Sequence, residues 1–167
     1  MRMKALRLSG LIVIVMTLAL MAYGLRASEQ SNSDMEEILK LHQALLESHI
    51  RSDVDGVLAA ESEQLVVVSG GKVEFPTKAE RFHQFERYLN SVEFDEYRDL
   101  VSPIVRVSDD RTLGWLIAQV KIAGRQTTSD GEQIPVDAIW AWIELYEKHD
   151  SRWIRVGEVS NVKPANP

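Results

Sequence analysis

Two histidines in one predicted helix are the residues whose type and spacing first suggest chemistry. His42 and His49 are seven positions apart in a segment whose apolar residues recur at helical spacing from Met35 to about Ile50. At about 100° per residue, both rings fall within the apolar stripe that faces the interior. An inward imidazole can transfer a proton near neutral pH or serve as a hydrogen-bonded structural residue. We favour the structural role and keep both histidines as catalytic and ligand-binding candidates.

The spacing of these histidines does not predict a metal site. Residues seven apart on a helix are separated by about 10.5 Å along its axis, whereas two ligands of one zinc ion each lie about 2 Å from the metal. The chain has no cysteine, which excludes disulfides, thiolate nucleophiles and cysteine-based zinc sites. It also contains no phosphate-binding glycine motif and no nucleophile elbow. We therefore predict neither a metal nor a cofactor.

A second candidate surface lies in the segment IWAWIELYEKHDSRW, residues 139–153, which holds three of the four tryptophans. In a strand, Trp140, Trp142 and Glu144 share one face, and the intervening aliphatic residues share the other. Such an aromatic face suits a dimer interface or a ligand pocket, and we favour an interface or structural role, with the aliphatic face as core. If the tryptophan face points inward instead, burial should raise the pKa of Glu144 and make it a candidate general base.

Two further polar residues complete the candidate site. Tyr97, in a predicted strand, could supply a hydroxyl as the partner of a histidine base. Gly157 interrupts the last apolar strand, and a glycine within a strand is typical of a bulge. Glu158, Ser160 and Asn161 are the nearest polar positions, and we select Asn161 as a ligand-binding candidate.

The elements that must position these residues are helices followed by strands. The predicted helices are residues 35 to about 50 after a cap at Asp34, residues 57–62 after Asp53 or Asp55, and a helix after Thr77, with Glu80 completing a capping box. The predicted strands are a hairpin in residues 64–75 around Gly70-Gly71, then an antiparallel meander of residues 97–107, 113–123, 136–147 and 153–162. This order predicts an α+β fold, with N-terminal helices packed on a strongly curved, mostly antiparallel sheet.

Two motifs within this order resemble the cone-shaped nuclear transport factor 2-like (NTF2-like) superfamily, which includes ketosteroid isomerase, small polyketide cyclases and scytalone dehydratase. They are DVDGVLAAESEQLVVVSGG, residues 53–71, and YEKHDSRWIRVGEVSN, residues 146–161. The chain looks most like the SnoaL-like branch of exported bacterial proteins of undefined role. The resemblance covers roughly residues 34–162. It implies a conical pocket between the concave sheet face and the helices, and homodimers formed through the outer sheet face.

The resemblance to ketosteroid isomerase does not extend to its catalytic residues. That family has a tyrosine on the first helix, and residues 34–50 contain none. It has an aspartate base near the first strand, where residues 64–75 contain only Glu74 as an acid. Asp99 or Asp137 could correspond to its second acid. The incomplete set argues against steroid isomerase activity.

These observations favour a non-catalytic domain that binds a small apolar or amphipathic ligand or self-associates. A weaker hypothesis is a dedicated oligomerisation module, a role that the fold has in some kinase assemblies. The catalytic alternative is a small lyase, isomerase or cyclase without a cofactor, in which His42 or His49 is the acid–base group. Tyr97 or an acid would then be its partner.

The N-terminal segment predicts export. Residues 1–27 combine a basic start, an apolar run and small residues, which is typical of a secretory signal. We predict a periplasmic or secreted protein, with an uncleaved membrane anchor as the alternative. Residues 28–34 are predicted as a linker, 35–162 as the domain and 163–167 as a tail. Loss of the leader reduces 19 basic residues to 15 against 25 acidic ones, for a net charge of −10. Since such a domain repels phosphates, we predict no nucleic-acid partner.

Overall fold

Caps and breaks in the sequence determine where the helices begin and end. A computed structural model describes residues 29–164, so the predicted leader at residues 1–27 lies outside the described residues. Helix α1 spans residues 29–50. The linker predicted at residues 28–34 is therefore helical from residue 29, because no glycine or proline interrupts this stretch. Among the described residues, no helix is both long and apolar enough to cross a membrane.

The two shorter helices begin at predicted caps. Helix α2 is Val54–Leu58, and the Asp53 carboxylate accepts a hydrogen bond from the Gly56 N–H at 2.9 Å. The extent predicted for this helix, residues 57–62, is wrong because the chain from Glu61 onward pairs as a strand. Helix α3 is Lys78–Ser91, and the capping box of Thr77 and Glu80 is confirmed.

Residues 29–164 contain seven strands. They are β1 Glu61–Ser69, β2 Lys72–Glu74, β3 Val92–Asp99, β4 Ile104–Val107, β5 Leu113–Thr127, β6 Gln133–His149 and β7 Arg152–Pro164. The single strand predicted at residues 97–107 is two strands, since Pro103 lacks the N–H that continuous pairing needs. Strand β7 also continues two residues past the predicted end of the domain at residue 162.

One sheet contains all seven strands in the order β2-β1-β7-β6-β5-β3, with β4 also paired to β5. Strands β5, β6 and β7 form the predicted antiparallel meander, while β1 pairs with β7 in parallel. Two-residue turns at Gly70-Gly71 and Asp150-Ser151 have positive φ at both positions, the backbone that tight hairpins require. The predicted α+β fold is confirmed.

The described residues fall into two units: residues 29–34, which are helical, belong to one, and residues 35–164 belong to the other. In the second unit the main core lies between α1 and the inner sheet face, which we define by the buried residues Leu116, Ala118, Val120 and Ile122 of β5. A second cluster joins the three helices through Leu45, Val57, Leu58 and Leu89, together with Val92 of β3.

The strand register places the tryptophan face of β6 on this inner face. Trp142 lies opposite Ala118, and Glu144 lies opposite Leu116. Trp142 is 8% exposed and Tyr146 is 2% exposed, whereas Leu145 on the opposite face is 41% exposed. The predicted assignment of the tryptophans to an interface and of the aliphatic face to the core is therefore wrong. The larger aromatic surface is the one that folding removes from water.

Candidate functional site

A cavity of about 620 Å³ lies between the inner sheet face and helices α1 and α3. This volume is within the range of about 300–1,000 Å³ typical of small-molecule sites. The β1–β2 hairpin contributes Ser69, Gly70 and Lys72 to the lining. Five of the lining residues are aromatic: Phe85, Tyr88, Tyr97, Trp140 and Trp142. Helix α3 carries Phe85 and Tyr88, strand β3 carries Tyr97, and strand β6 carries both tryptophans, so regular secondary structure holds all five rings, which favours a preformed site.

His49 forms part of the cavity wall and is held in one orientation. Its Nδ1 lies 2.9 Å from the Leu45 carbonyl oxygen, and its ring stacks on Tyr97 at 4.4 Å between centroids with an interplanar angle of 18°. Burial and, to a smaller extent, the charges of Arg155 and Arg81 lower the pKa of His49 to about 4. The imidazole is therefore neutral near pH 7.

His42 has a different environment two turns earlier on α1. It is fully buried and is not one of the residues that line the cavity. Its Nε2 lies 3.0 Å from Asp99 Oδ1, and its Nδ1 lies 3.7 Å from Glu144 Oε1. Burial lowers the pKa of His42, but these two carboxylates more than offset the burial, so the pKa is raised. The two acids therefore favour the positively charged form of His42.

Glu144 is the acceptor on which the buried polar groups converge. Oε1 accepts from Trp142 Nε1 at 3.0 Å and from Arg155 Nη1 at 3.4 Å, and Oε2 accepts from the Tyr146 hydroxyl at 2.7 Å. Burial raises the pKa of Glu144, but His42, Arg155 and Tyr146 together hold it below its usual value. The raised pKa predicted for an inward Glu144 is therefore wrong, because the acid does not lie in an apolar pocket but is surrounded by donors.

Two buried arginines continue this network to the cavity. Arg81 of α3 donates to Glu61 in a bidentate pair, with Nη2 at 2.7 Å and Nε at 3.3 Å. Arg155 of β7 donates to the same Glu61 carboxylate and to Glu144. Both guanidinium groups line the cavity, together with Glu158, which lies 3.7 Å from Arg155 and 3.9 Å from Arg81. Every buried charge in this cluster thus has a partner of opposite sign.

The structure separates the predicted site residues into three groups. Tyr97, Trp140, Trp142 and His49 line the cavity, and burial raises the pKa of Tyr97 well above its usual value, so its hydroxyl stays protonated. His42 and Glu144 are buried but are not lining residues. Asn161 is exposed and pairs with Ala141 on the outer sheet face, so its predicted place in the pocket is wrong.

The bulge predicted at Gly157 explains this error. Leu145 pairs with Gly157 and the next residue, Tyr146, pairs with Arg155, which leaves Val156 as an extra residue in β7. Simple alternation from Trp153 would place Asn161 inside. The extra residue shifts the inward–outward alternation of side chains by one position. Glu158 and Ser160 therefore point into the cavity instead.

Sequence reasoning missed Glu61, Arg81 and Arg155. Glu61 was predicted to be helical, and Arg81 is a single charge in the first turns of a helix rich in charges. Arg155 carried a usable signal, since it alternates with Trp153 in an apolar strand. A charge on the apolar face of a strand indicates a buried ion pair, but its partners lie too far away in sequence for spacing to identify them.

Comparison with known proteins supports the fold. No protein-family model and no curated protein matches the sequence. A ketosteroid isomerase-like protein from Erwinia carotovora atroseptica matches with a TM-score of 0.61 and 16% identity, over 81% of this chain and 99% of that chain. An NTF2-like protein from Cytophaga hutchinsonii matches with a TM-score of 0.59 and 14% identity, over 75% and 95% of the two chains.

A candidate dehydratase from the NTF2-like family of Streptomyces avermitilis matches with a TM-score of 0.63 and 12% identity, over 82% of this chain and 99% of that chain. At such identities the similarity establishes the fold and leaves the activity to be argued from the site. The chain has the fold of the NTF2-like superfamily, so the predicted resemblance is confirmed for the fold.

Proposed function

We propose that this domain binds a small, mostly apolar ligand in its cavity and does not transform it. The observation that carries the proposal is the cavity of about 620 Å³ with five aromatic side chains in its lining. Ligand sites of this size are lined mainly by apolar and aromatic groups, with a few polar groups that fix orientation. His49, Tyr97 and Ser160 are among the polar lining residues that can supply such orientation here.

The distribution of histidines and acids argues against acid–base catalysis. A histidine that acts as a base near pH 7 needs access to the ligand and a pKa near the working pH. His49 lines the cavity, but its pKa is about 4 and no carboxylate contacts it among the described residues. His42 contacts two carboxylates, but it is fully buried and absent from the lining. His49 thus has access to the cavity without a suitable pKa, and His42 has a raised pKa without access to the cavity.

A cavity-filling variant tests this proposal. Ser160→Phe places a ring in the cavity, whereas Asn161→Phe adds the same ring on the outer face and serves as the matched control. We expect an uncharged, environment-sensitive dye such as 6-propionyl-2-dimethylaminonaphthalene to bind the unmodified protein and the control but not Ser160→Phe. Native mass spectrometry of the purified protein should also reveal any ligand retained from the cell. Equal binding of the dye to both variants would contradict the proposal.

A second candidate function is self-association through the outer sheet face. Ile104, Ile117, Ile143 and Val159 lie opposite one another in register across β4, β5, β6 and β7. Ile104 is 49% exposed, Ile117 37% and Val159 40%, and Trp115 and Leu145 extend the same surface. A continuous apolar surface of this kind on a folded chain marks an interaction site, and a homodimer covers it by pairing identical faces.

Light scattering tests the homodimer. We expect a dimer mass for the unmodified protein and a monomer mass for Ile117→Glu, because a charge at the centre of the row cannot be buried unpaired. Val101→Glu is the control, since Val101 is 56% exposed and lies outside the row. A monomeric unmodified protein would contradict self-association without affecting the proposed ligand site.

Because of the predicted leader, we also propose that the protein is exported to the periplasm or the medium. Cleavage before Leu25 or after Ala27 would release the acidic domain, and intact mass measurement of the protein from the producing cell distinguishes these products from an uncleaved anchor. A full-length protein in the membrane fraction would support the anchor instead.

A further inference from the structure

We propose that the cavity selects a flat, uncharged ligand that donates a hydrogen bond to Nε2 of His49. This inference rests on the proposed ligand-binding function and specifies the chemistry of the ligand. Three features of the described residues carry it: the tautomer of His49, the immobilisation of its ring, and the compensation of the charges that line the cavity.

The tautomer follows from the hydrogen bond to the backbone. A carbonyl oxygen can only accept, so Nδ1 of His49 must carry the hydrogen in its 2.9 Å contact with the Leu45 carbonyl. In a neutral imidazole the other nitrogen, Nε2, then has a free lone pair. No described residue donates a hydrogen bond to this atom. Since His49 lines the cavity, a donor group on a bound ligand can take the place of water and complete its hydrogen bonding.

The ring of His49 is fixed by its aromatic neighbours. Tyr97 stacks on one face at 4.4 Å, while Phe85 and Phe94 contact the ring edge-on at 5.7 Å and 6.4 Å between centroids. These contacts hold the acceptor in one orientation before a ligand arrives, which lowers the entropic cost of binding. The flat surfaces of Trp140 and Trp142 lie in the same cavity and favour a planar ring as the occupant.

The charges that line the cavity disfavour a charged ligand. Arg81 and Arg155 line the cavity and would repel a cation. Lys72 and Glu74 also line it, at the β1–β2 hairpin, and add one charge of each sign. The guanidinium groups of the two arginines, however, already contact three carboxylates, those of Glu61, Glu144 and Glu158. An anion would have to compete with these carboxylates and would also meet their repulsion. An uncharged ligand avoids both costs.

A matched set of probes tests the inference on the unmodified protein. 2-Naphthol is uncharged at pH 7 and has a hydroxyl donor, 2-methoxynaphthalene lacks the donor, and 2-naphthoate is an anion of similar shape. We expect titration calorimetry to show 2-naphthol binding roughly tenfold more tightly than its methyl ether, as one hydrogen bond in a desolvated site allows. 2-Naphthoate should bind more weakly than 2-naphthol. Equal affinities for 2-naphthol and the ether, or tightest binding of the anion, would overturn the inference.

A variant assigns the effect to His49. His49→Phe keeps an aromatic ring on Tyr97 but removes the acceptor, so 2-naphthol should lose its advantage while the ether binds as before. His149→Phe is the control, because His149 is exposed at the end of strand β6, outside the cavity lining. If His49→Phe binds neither 2-naphthol nor the ether, the relative affinities of the unmodified protein for these two probes still test the inference. Failure of all three probes with the unmodified protein would contradict the ligand-binding function itself, whereas equal binding would overturn only the role of His49.

Discussion

His42 and His49 lie on one face of one helix, two turns apart, but their surroundings give them opposite properties. His42 contacts Asp99 and Glu144, which raise its pKa. His49 contacts a backbone carbonyl and aromatic rings, and its pKa falls to about 4. Burial alone would lower both values, so the difference comes from the strands that each ring faces. One histidine stabilises a buried charge network, and the other presents a neutral acceptor to the cavity.

The largest effect on the free energy of unfolding is expected from removing the charge of Glu144, the buried acid beside His42. Glu144→Gln keeps the shape of the side chain but leaves His42 and Arg155 without their shared anion. Because breaking a buried ion pair leaves an uncompensated charge, we expect a loss of about 3 kcal/mol in the free energy of unfolding. Urea denaturation at pH 7 measures it. Glu147→Gln, on the same strand but with its side chain 47% exposed, is the control, and equal stabilities of the two variants would show that the network is not stabilising.

His49 should destabilise the fold in acid. Its pKa falls from 6.5 to about 4 on folding, so the unfolded chain binds a proton that the folded chain does not. Stability should therefore fall as the pH falls from 6.5 to 4, by up to about 3 kcal/mol. His49→Phe removes this loss, and urea denaturation at pH 7, 5.5 and 4 measures the difference. The same acid slope in the variant and the unmodified protein would show that His49 is not held neutral.

His42 should have the opposite dependence. Its pKa is higher in the folded chain, so its contribution to stability is complete below pH 6.5 and is lost as the pH rises through the raised folded value. His42→Gln should flatten the stability curve on the alkaline side. Denaturation between pH 6 and 9 measures this, with His83→Gln as an exposed control. A variant that steepens the alkaline slope would contradict the charged state assigned to His42.

The smallest effect on the free energy of unfolding is expected at Asp99, the more exposed of the two acids that contact His42. The Asp99 side chain is 24% exposed, so water compensates much of the charge that Asp99→Asn removes. We expect a loss of about 1 kcal/mol, which added salt should reduce further. Asp95→Asn, in a more exposed pair with Arg125, is the control and should cost less. A loss as large as that of Glu144→Gln would mean that both acids contribute equally.

The sequence predicted the fold better than it predicted the site. Helical spacing placed His42 and His49 on the inner side, and turn and cap residues located the hairpins and helix α3. Strand alternation also grouped the tryptophans with Glu144 correctly. Alternation cannot show which face of a sheet is inside when both faces are apolar, and this is why the interface was placed on the wrong side.

The ionic network could not be predicted from spacing. Arg155 and Glu61 are 94 positions apart and meet because β1 pairs with β7 in parallel. One bulge residue decides whether Glu158 or Asn161 points inward, and nothing in the sequence specifies its position to within one residue. The pKa direction of Glu144 depends on donors from three strands or helices, so burial alone gave the wrong sign.

The contrast between the two histidines is tested most directly by ¹⁵N nuclear magnetic resonance of their side chains across a pH titration, with His42→Gln and His49→Phe used for assignment. At pH 6 we predict that His42 is doubly protonated and that His49 is neutral with its proton on Nδ1. His49 should remain in that state until the pH approaches about 4. Two histidines that titrate together near pH 6.5, or a proton on Nε2 of neutral His49, would contradict the account.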